Sequence, residues 1–273
     1  MSRARFTTSG VGLITDTESI ERLARCGEAL SCALIEARSA ARPGVTPKQL
    51  TSVIEDRFGR EGVKPVLRGL QAVGADPFPA AASICVNGVA VNGVPSDEPL
   101  RRGDVLTIDA ACELDGFVLD AACSVAVGML DHELARAAHG VLQAVLGSIA
   151  PGLPLNELAA CARSEANLLG VDVADEVIAH GVGRGLHMPP AVFFDGVEPD
   201  HEGLLQVGMV LAIEPVVVES NSGGGAVVAC RTASDGWSRI APGLAAFEER
   251  TVLVTENGPR VLTEIPPLGF PAA

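Results

Sequence analysis

Tyrosine is absent from this chain and tryptophan occurs once, so its 48% hydrophobic share rests on aliphatic and small side chains. No apolar stretch approaches the roughly 20 residues needed to cross a bilayer, so no membrane-spanning helix is expected. Arg3 and Arg5 precede only the short apolar patch Val11 to Ile14, too little for a secretory signal, so a cytoplasmic location is expected. Basic residues are few: 20 Lys and Arg against 34 Asp and Glu leave a formal charge of −14. Nucleic acid is excluded as a partner, because phosphates demand a basic surface. The seven cysteines (Cys26, Cys32, Cys85, Cys112, Cys123, Cys161 and Cys230) contain no Cys-x-x-Cys pair. Most fall in apolar patterns, where free Cys acts as a small hydrophobe, so buried reduced thiols are expected instead of zinc clusters or disulfides.

What the chain does have is an internal repeat. Residues 43–63 read PGVTPKQLTSVIEDRFGREGV and residues 151–171 read PGLPLNELAACARSEANLLGV, sharing Pro-Gly, a central leucine (Leu50, Leu158) and a closing Gly-Val. Further on, GDVLTID (103–109) is answered by GMVLAIE (208–214), an acidic residue ending the strand in each copy. Two halves facing across a pseudo-twofold axis would bring Asp109 and Glu214 to one central site. Facing carboxylates repel and are costly to desolvate unless a cation joins them. The repeat therefore points to a metal site between its halves.

The elements follow the same duplication. A helix begins near Thr15-Asp16-Thr17-Glu18, a capping-box pattern, carries Ile20, Leu23, Leu30 and Leu34, and is closed by Pro43-Gly44. Thr46 caps a second helix with Pro47 in its first turn and Leu50, Val53, Ile54 and Phe58 on one stripe. Strand-like runs cover 82–91 and 104–112. A helix from Asp131, the Pro151-Gly152 break, a helix over 156–169 and further strands repeat the order. Helices segregated from antiparallel strands make an α+β sandwich. The chain is expected to be one domain over 1–273, with an N-terminal half at about 15–130, a C-terminal half at about 131–262 and a coil tail over 263–273.

Asp115-Gly116 is a two-residue hairpin signal. It sets Leu114 opposite Phe117 and Ala111 opposite Asp120, which puts Asp109 on the same sheet face as Asp120. Glu214 and the pair Glu248-Glu249 likewise interrupt hydrophobic strands. His180 and His187 bracket a glycine-rich loop, HGVGRGLH, whose glycines suggest backbone brought close to a ligand. Four or more oxygen ligands and one imidazole suit two divalent ions of the Mn, Fe, Co or Zn type.

Asp109, Asp120, HGVGRGLH, AIEP and the glutamate before a terminal strand, in this order, closely resemble methionine aminopeptidases of the pita-bread fold, and the shorter bacterial type I form fits best. The resemblance runs from the first helix to about residue 262. It implies that Asp109, Asp120, His180, Glu214 and Glu249 ligate two metal ions. Glu249 is preferred to Glu248 for its spacing to Thr251-Val252. The resemblance further implies that an activated water attacks the scissile carbonyl, with Glu214 as general base and His187 stabilising the charge on the carbonyl oxygen. Phe78 and Trp237 fall at positions lining the methionine pocket, with Leu186 where an aromatic is common. The implied substrates are the N-termini of peptides or nascent chains, handled by a monomer.

Three departures from the family are visible. Where members usually read Val-His-Gly-Ile-Pro, this chain reads Val91-Asn92-Gly93-Val94-Pro95, and Asn cannot transfer protons near neutral pH. Met188-Pro189-Pro190 replaces the common polar residues after His187, and Arg250 stands where a histidine is usual. Asn92 therefore belongs to the candidate catalytic and substrate-binding set. The altered pocket and Met188-Pro189-Pro190 keep open a same-fold aminopeptidase or prolidase-like enzyme of other specificity, and Asn92 keeps open a catalytically impaired peptide-binding paralogue.

Overall fold

The structure, a computed structural model, describes residues 12–193, 196–197 and 203–267. Helix α1 (Thr17–Ala40) starts where Asp16 accepts a hydrogen bond from the Ser19 amide at 2.8 Å. Residue 19 is Ser, not Glu or Gln, so only half of the expected capping box forms. Leu23, Cys26, Leu30, Ala33, Leu34 and Ala37 repeat at helical spacing and are fully buried against the strands Val105–Leu114 and Phe117–Ala126. The helix ends at Ala40 with Ala41 as its cap, ahead of Pro43-Gly44. In α2 (Pro47–Glu61) the capping box is complete: Thr46 and Gln49 bond each other's backbone amides. Leu50, Ile54 and Phe58 are buried on its stripe, with Val53 partly buried beside them.

The expected strand over 82–91 is instead two strands, Ser83–Val86 and Val89–Val91, broken at Asn87-Gly88. Asn87 has φ 55°, and this turn sends the chain from one sheet to another. Asn-Gly is a strong turn signal that reading the segment as one run overlooks. The strand Val105–Leu114 runs five residues past Asp109, which lies inside it and does not end it as the repeat suggests. The hairpin turn falls at Asp115-Gly116, both with positive φ, and the register pairs Leu114 with Phe117 and Ala111 with Asp120 as expected.

The second half repeats the order. Helix α3 (Glu133–Ser148) begins two residues later than expected because the His132 ring caps it, accepting from the Leu134 amide at 3.2 Å. Helix α4 (Asn156–Leu168) follows. A six-stranded sheet then runs Gly258–Val261, Arg250–Thr255, Val210–Ile213, Val177–Gly181, Met188–Phe193 and Gly196–Val197. Among the described strands every pairing is antiparallel except Val227–Val228 with Val171–Ala174. Helices on the outside of antiparallel sheets form the expected α+β arrangement.

The halves meet through backbone bridges, Val118 with Gly183 and Ala122 with Glu249. The Ser124 hydroxyl adds a hydrogen bond of 2.7 Å to the Phe247 carbonyl. Residues 264–267 have no regular structure, yet Ile265 is buried, so this stretch is packed and not a free tail. The remainder of the expected coil, 268–273, lies outside the described residues.

Candidate metal centre

Hairpin register sets the first carboxylates. Asp109 lies opposite Ala122 on one side and opposite Ser83 on the other, and Asp120 stands two residues before Ala122. Burial pushes the Asp109 carboxyl up to about 8, and the nearby Glu214 charge adds to this; hydrogen bonds with Asp120 and Ser83 pull the other way. Asp120 is raised well above the carboxylate range by burial first, then by Asp109 and Glu214.

Glu214 and His180 come from neighbouring strands of the six-stranded sheet. Glu214 directly follows Val210–Ile213, and His180 pairs with Ala212 in the adjacent strand. The Nδ1 of His180 lies 3.0 Å from the Gly181 carbonyl. A carbonyl only accepts, so Nδ1 donates to it, and Nε2 lies 3.3 Å from Glu214 Oε1. Gly181 is required here, because a Cβ would sit 2.2 Å from the Pro189 carbonyl oxygen.

The last carboxylate comes from the Glu248-Glu249 pair. Glu249 bridges Ala122 and is raised well above its ordinary range by burial, then by Asp120, Glu214 and Asp109. Glu248 faces elsewhere: its Oε2 accepts from Arg250 Nη2 at 3.1 Å and lies 3.0 Å from His139 Nδ1. Of the two, Glu249 joins the cluster.

Ligand-type atoms of Asp109, Asp120 and Glu249 lie within 4.8 Å of one another. The same holds for His180, Glu214 and Glu249, and for Asp120, His180 and His187. Asp120 Oδ1, Glu214 Oε1 and Glu249 Oε1 are buried and make no hydrogen bond among the described residues. Carboxylate oxygens without a hydrogen-bond partner at such depth are costly. A divalent cation removes that cost, so the donor set fits the group that the fold implies. A second acidic group, Asp175 and Glu176 with Cys230, differs: Arg239 Nε donates to Glu176 at 2.6 Å, and Asp175 accepts from the Cys230 amide at 2.8 Å.

His187 packs edge to face on His180, ring centroids 5.1 Å apart. Phe78, Leu186 and Trp237 are all buried in one core cluster. Phe78 and Trp237 meet edge to face at 5.1 Å, and Trp237 Nε1 donates to the Asp76 carbonyl at 2.8 Å. Asn92 is half-buried with φ 57°, a region where Asn and His are both enriched, so this backbone accepts either residue. The following Gly93 is packed so closely that a Cβ would meet the Ile84 carbonyl oxygen at 2.3 Å. Ile84 is the neighbour of Ser83, which ties the Asn92 turn to the strand facing Asp109.

The sequence reading missed the supports. The Thr251 hydroxyl donates to the Asp120 carbonyl at 2.7 Å and accepts from the Asp120 amide at 3.2 Å, fixing one ligand-type residue to the strand after Glu249. Ser83 does similar service for Asp109. Neither carries a recognisable pattern, since a lone Ser or Thr in a strand has many uses.

Residues 21–256 match metallopeptidase family M24. The chain is 32% identical over 260 residues to the methionine aminopeptidase of Clostridium perfringens, covering 93% of this chain and 99% of that protein. Among solved structures, the methionine aminopeptidase of Thermotoga maritima superposes with a TM-score of 0.82 at 30% identity, covering 93% of this chain and all of that one, 100%. The prolidase of Pyrococcus furiosus shares the fold at TM-score 0.68 and 22% identity, and the match spans 66% of it. The fold is the pita-bread fold, and the chain belongs to metallopeptidase family M24.

Proposed function

We propose that this chain is a metalloaminopeptidase that removes N-terminal methionine from peptides and nascent chains. The observation that carries the reading is the convergence, from both halves, of Asp109, Asp120, His180, Glu214 and Glu249 with three buried oxygens that make no hydrogen bond. These five residues would hold two divalent ions of the Mn, Fe, Co or Zn type. Such ions supply Lewis acidity and a water made nucleophilic near neutral pH. Glu214 takes the proton from the attacking water as general base. His187 donates to the carbonyl oxygen as negative charge develops there. Phe78, Leu186 and Trp237 receive the methionine side chain, and Asn92 orients the peptide with its amide.

The whole chain acts as one catalytic domain, a monomer in the cytoplasm. The seven free cysteines fit a reducing compartment. The test is release of methionine from Met-Ala-Ser by chelated protein resupplied with Mn or Co. Absence of release with every divalent ion tried would sink the reading.

Asn92 and the Met188-Pro189-Pro190 segment favour a second reading, an aminopeptidase of the same fold that prefers another first residue. A library varying the first two residues separates the two. Preference for methionine supports the first, and cleavage ahead of proline supports the second. Metal uptake without turnover on any peptide would mark an impaired, peptide-binding copy.

A further inference from the structure

Arg250 follows Glu249 and is 3% exposed. Its Nη1 donates to the carbonyls of Ala122 at 2.9 Å and Glu249 at 2.7 Å. Its Nη2 donates to Glu248 Oε2 at 3.1 Å and to the Ile265 carbonyl at 2.9 Å. Through Glu248 the link extends to His139 on α3. One side chain thus fastens a strand of the first half, a strand of the second, a helix and the segment after the last strand.

Two of those bonds end on the Ala122–Glu249 bridge. Ala122 lies opposite Asp109 and two residues after Asp120. The bridge therefore sets how far the carboxylates of the first half stand from Glu249. Only a planar guanidinium can serve these acceptors together; an ammonium offers three donors from one point. Stability alone explains such a residue poorly, because a well-packed apolar group often replaces a buried ion pair without loss.

We propose that Arg250 is a positioning residue for the metal centre: it clamps the Ala122–Glu249 bridge so that Asp109, Asp120 and Glu249 converge on a shared ion. The proposal rests on the metal-centre reading above. Loss of the clamp loosens the bridge and weakens the ion that both halves hold.

The test is calorimetric titration of the chelated full chain with Mn alone, well below the melting temperature. Folding is checked by circular dichroism and size exclusion for wild type, Arg250→Met, Arg250→Lys and Glu248→Gln. The expected result is that Arg250→Met raises the dissociation constant of the weaker Mn step about 10- to 100-fold, the range for losing a group that orients metal ligands. Arg250→Lys falls between it and wild type, and Glu248→Gln moves it less, in the same direction. A purely structural role would lower the melting temperature and leave the dissociation constants where they are. Unchanged constants in folded Arg250→Met, or in Arg250→Lys and Glu248→Gln should the first not fold, overturn the role of Arg250 alone. A wild type that takes up none of Mn, Co, Fe and Zn overturns the metal centre and the clamp together.

Discussion

Nε2 of His180 faces Oε1 of Glu214 at 3.3 Å, while Nδ1 of the same ring donates to the Gly181 carbonyl at 3.0 Å. The carboxylates gathered around this pair, Asp109, Asp120 and Glu249, repel one another and are costly to bury without a cation. Stripping the metal should therefore lower the melting temperature, and restoring it should raise it, since a ligand that binds only the native state stabilises by mass action. Differential scanning calorimetry before and after chelation reads this directly. An unchanged melting temperature after verified removal from a loaded sample would argue against a shared central site.

The metal-free protein should also lose stability as pH rises. Asp109 is held at about 8 in the fold against 3.8 for the free side chain, and Asp120 and Glu249 are raised as well. Between those values the native state binds more protons than the unfolded chain, so stability is greatest below the lower value and falls as pH climbs through the upper one. Urea titrations of chelated protein from about pH 4 to about pH 8 should show a falling midpoint. A midpoint that rises over this range would contradict the raised affinity of these carboxyls for their protons.

His187 should matter for turnover and not for metal content. Removing a donor to a developing oxyanion costs about 10²–10³ in rate. His187→Ala is expected to lower kcat on Met-Ala-Ser by that much with the metal stoichiometry intact. Because His187 also stands within ligand reach of Asp120 and His180, metal analysis of the same sample decides the matter. Loss of an ion would make His187 a ligand instead.

Asn92 predicts slow chemistry. Losing one placed acid–base group costs about 10²–10⁴ in rate, while the Asn amide can still orient a peptide. The left-handed backbone at Asn92 also suits histidine, so Asn92→His should fold without strain and raise kcat more than it changes KM. A flat kcat in a folded, metal-loaded variant would show a pocket retuned for other chemistry.

Much of this was legible in the chain because strand periodicity and turn chemistry are strict. Asp115-Gly116 fixes a register, and the register alone puts Asp109 and Asp120 on one face. The repeat then places Glu214 at the matching position. What stayed hidden depends on contacts distant in sequence. The engagement of Glu248 by Arg250 and His139 leaves no trace in the spacing by which Glu249 is preferred. Burial of the 264–267 stretch likewise depends on packing that a proline-rich composition does not reveal.

Anomalous diffraction from Mn-soaked crystals tests the central claim most directly. Two peaks are expected within the cluster of Asp109, Asp120, Glu214 and Glu249, each about 2.0–2.2 Å from the carboxylate oxygens that ligate it, with one beside Nε2 of His180. No peak at this cluster, or density confined to the group at Asp175, Glu176 and Cys230, would contradict the account.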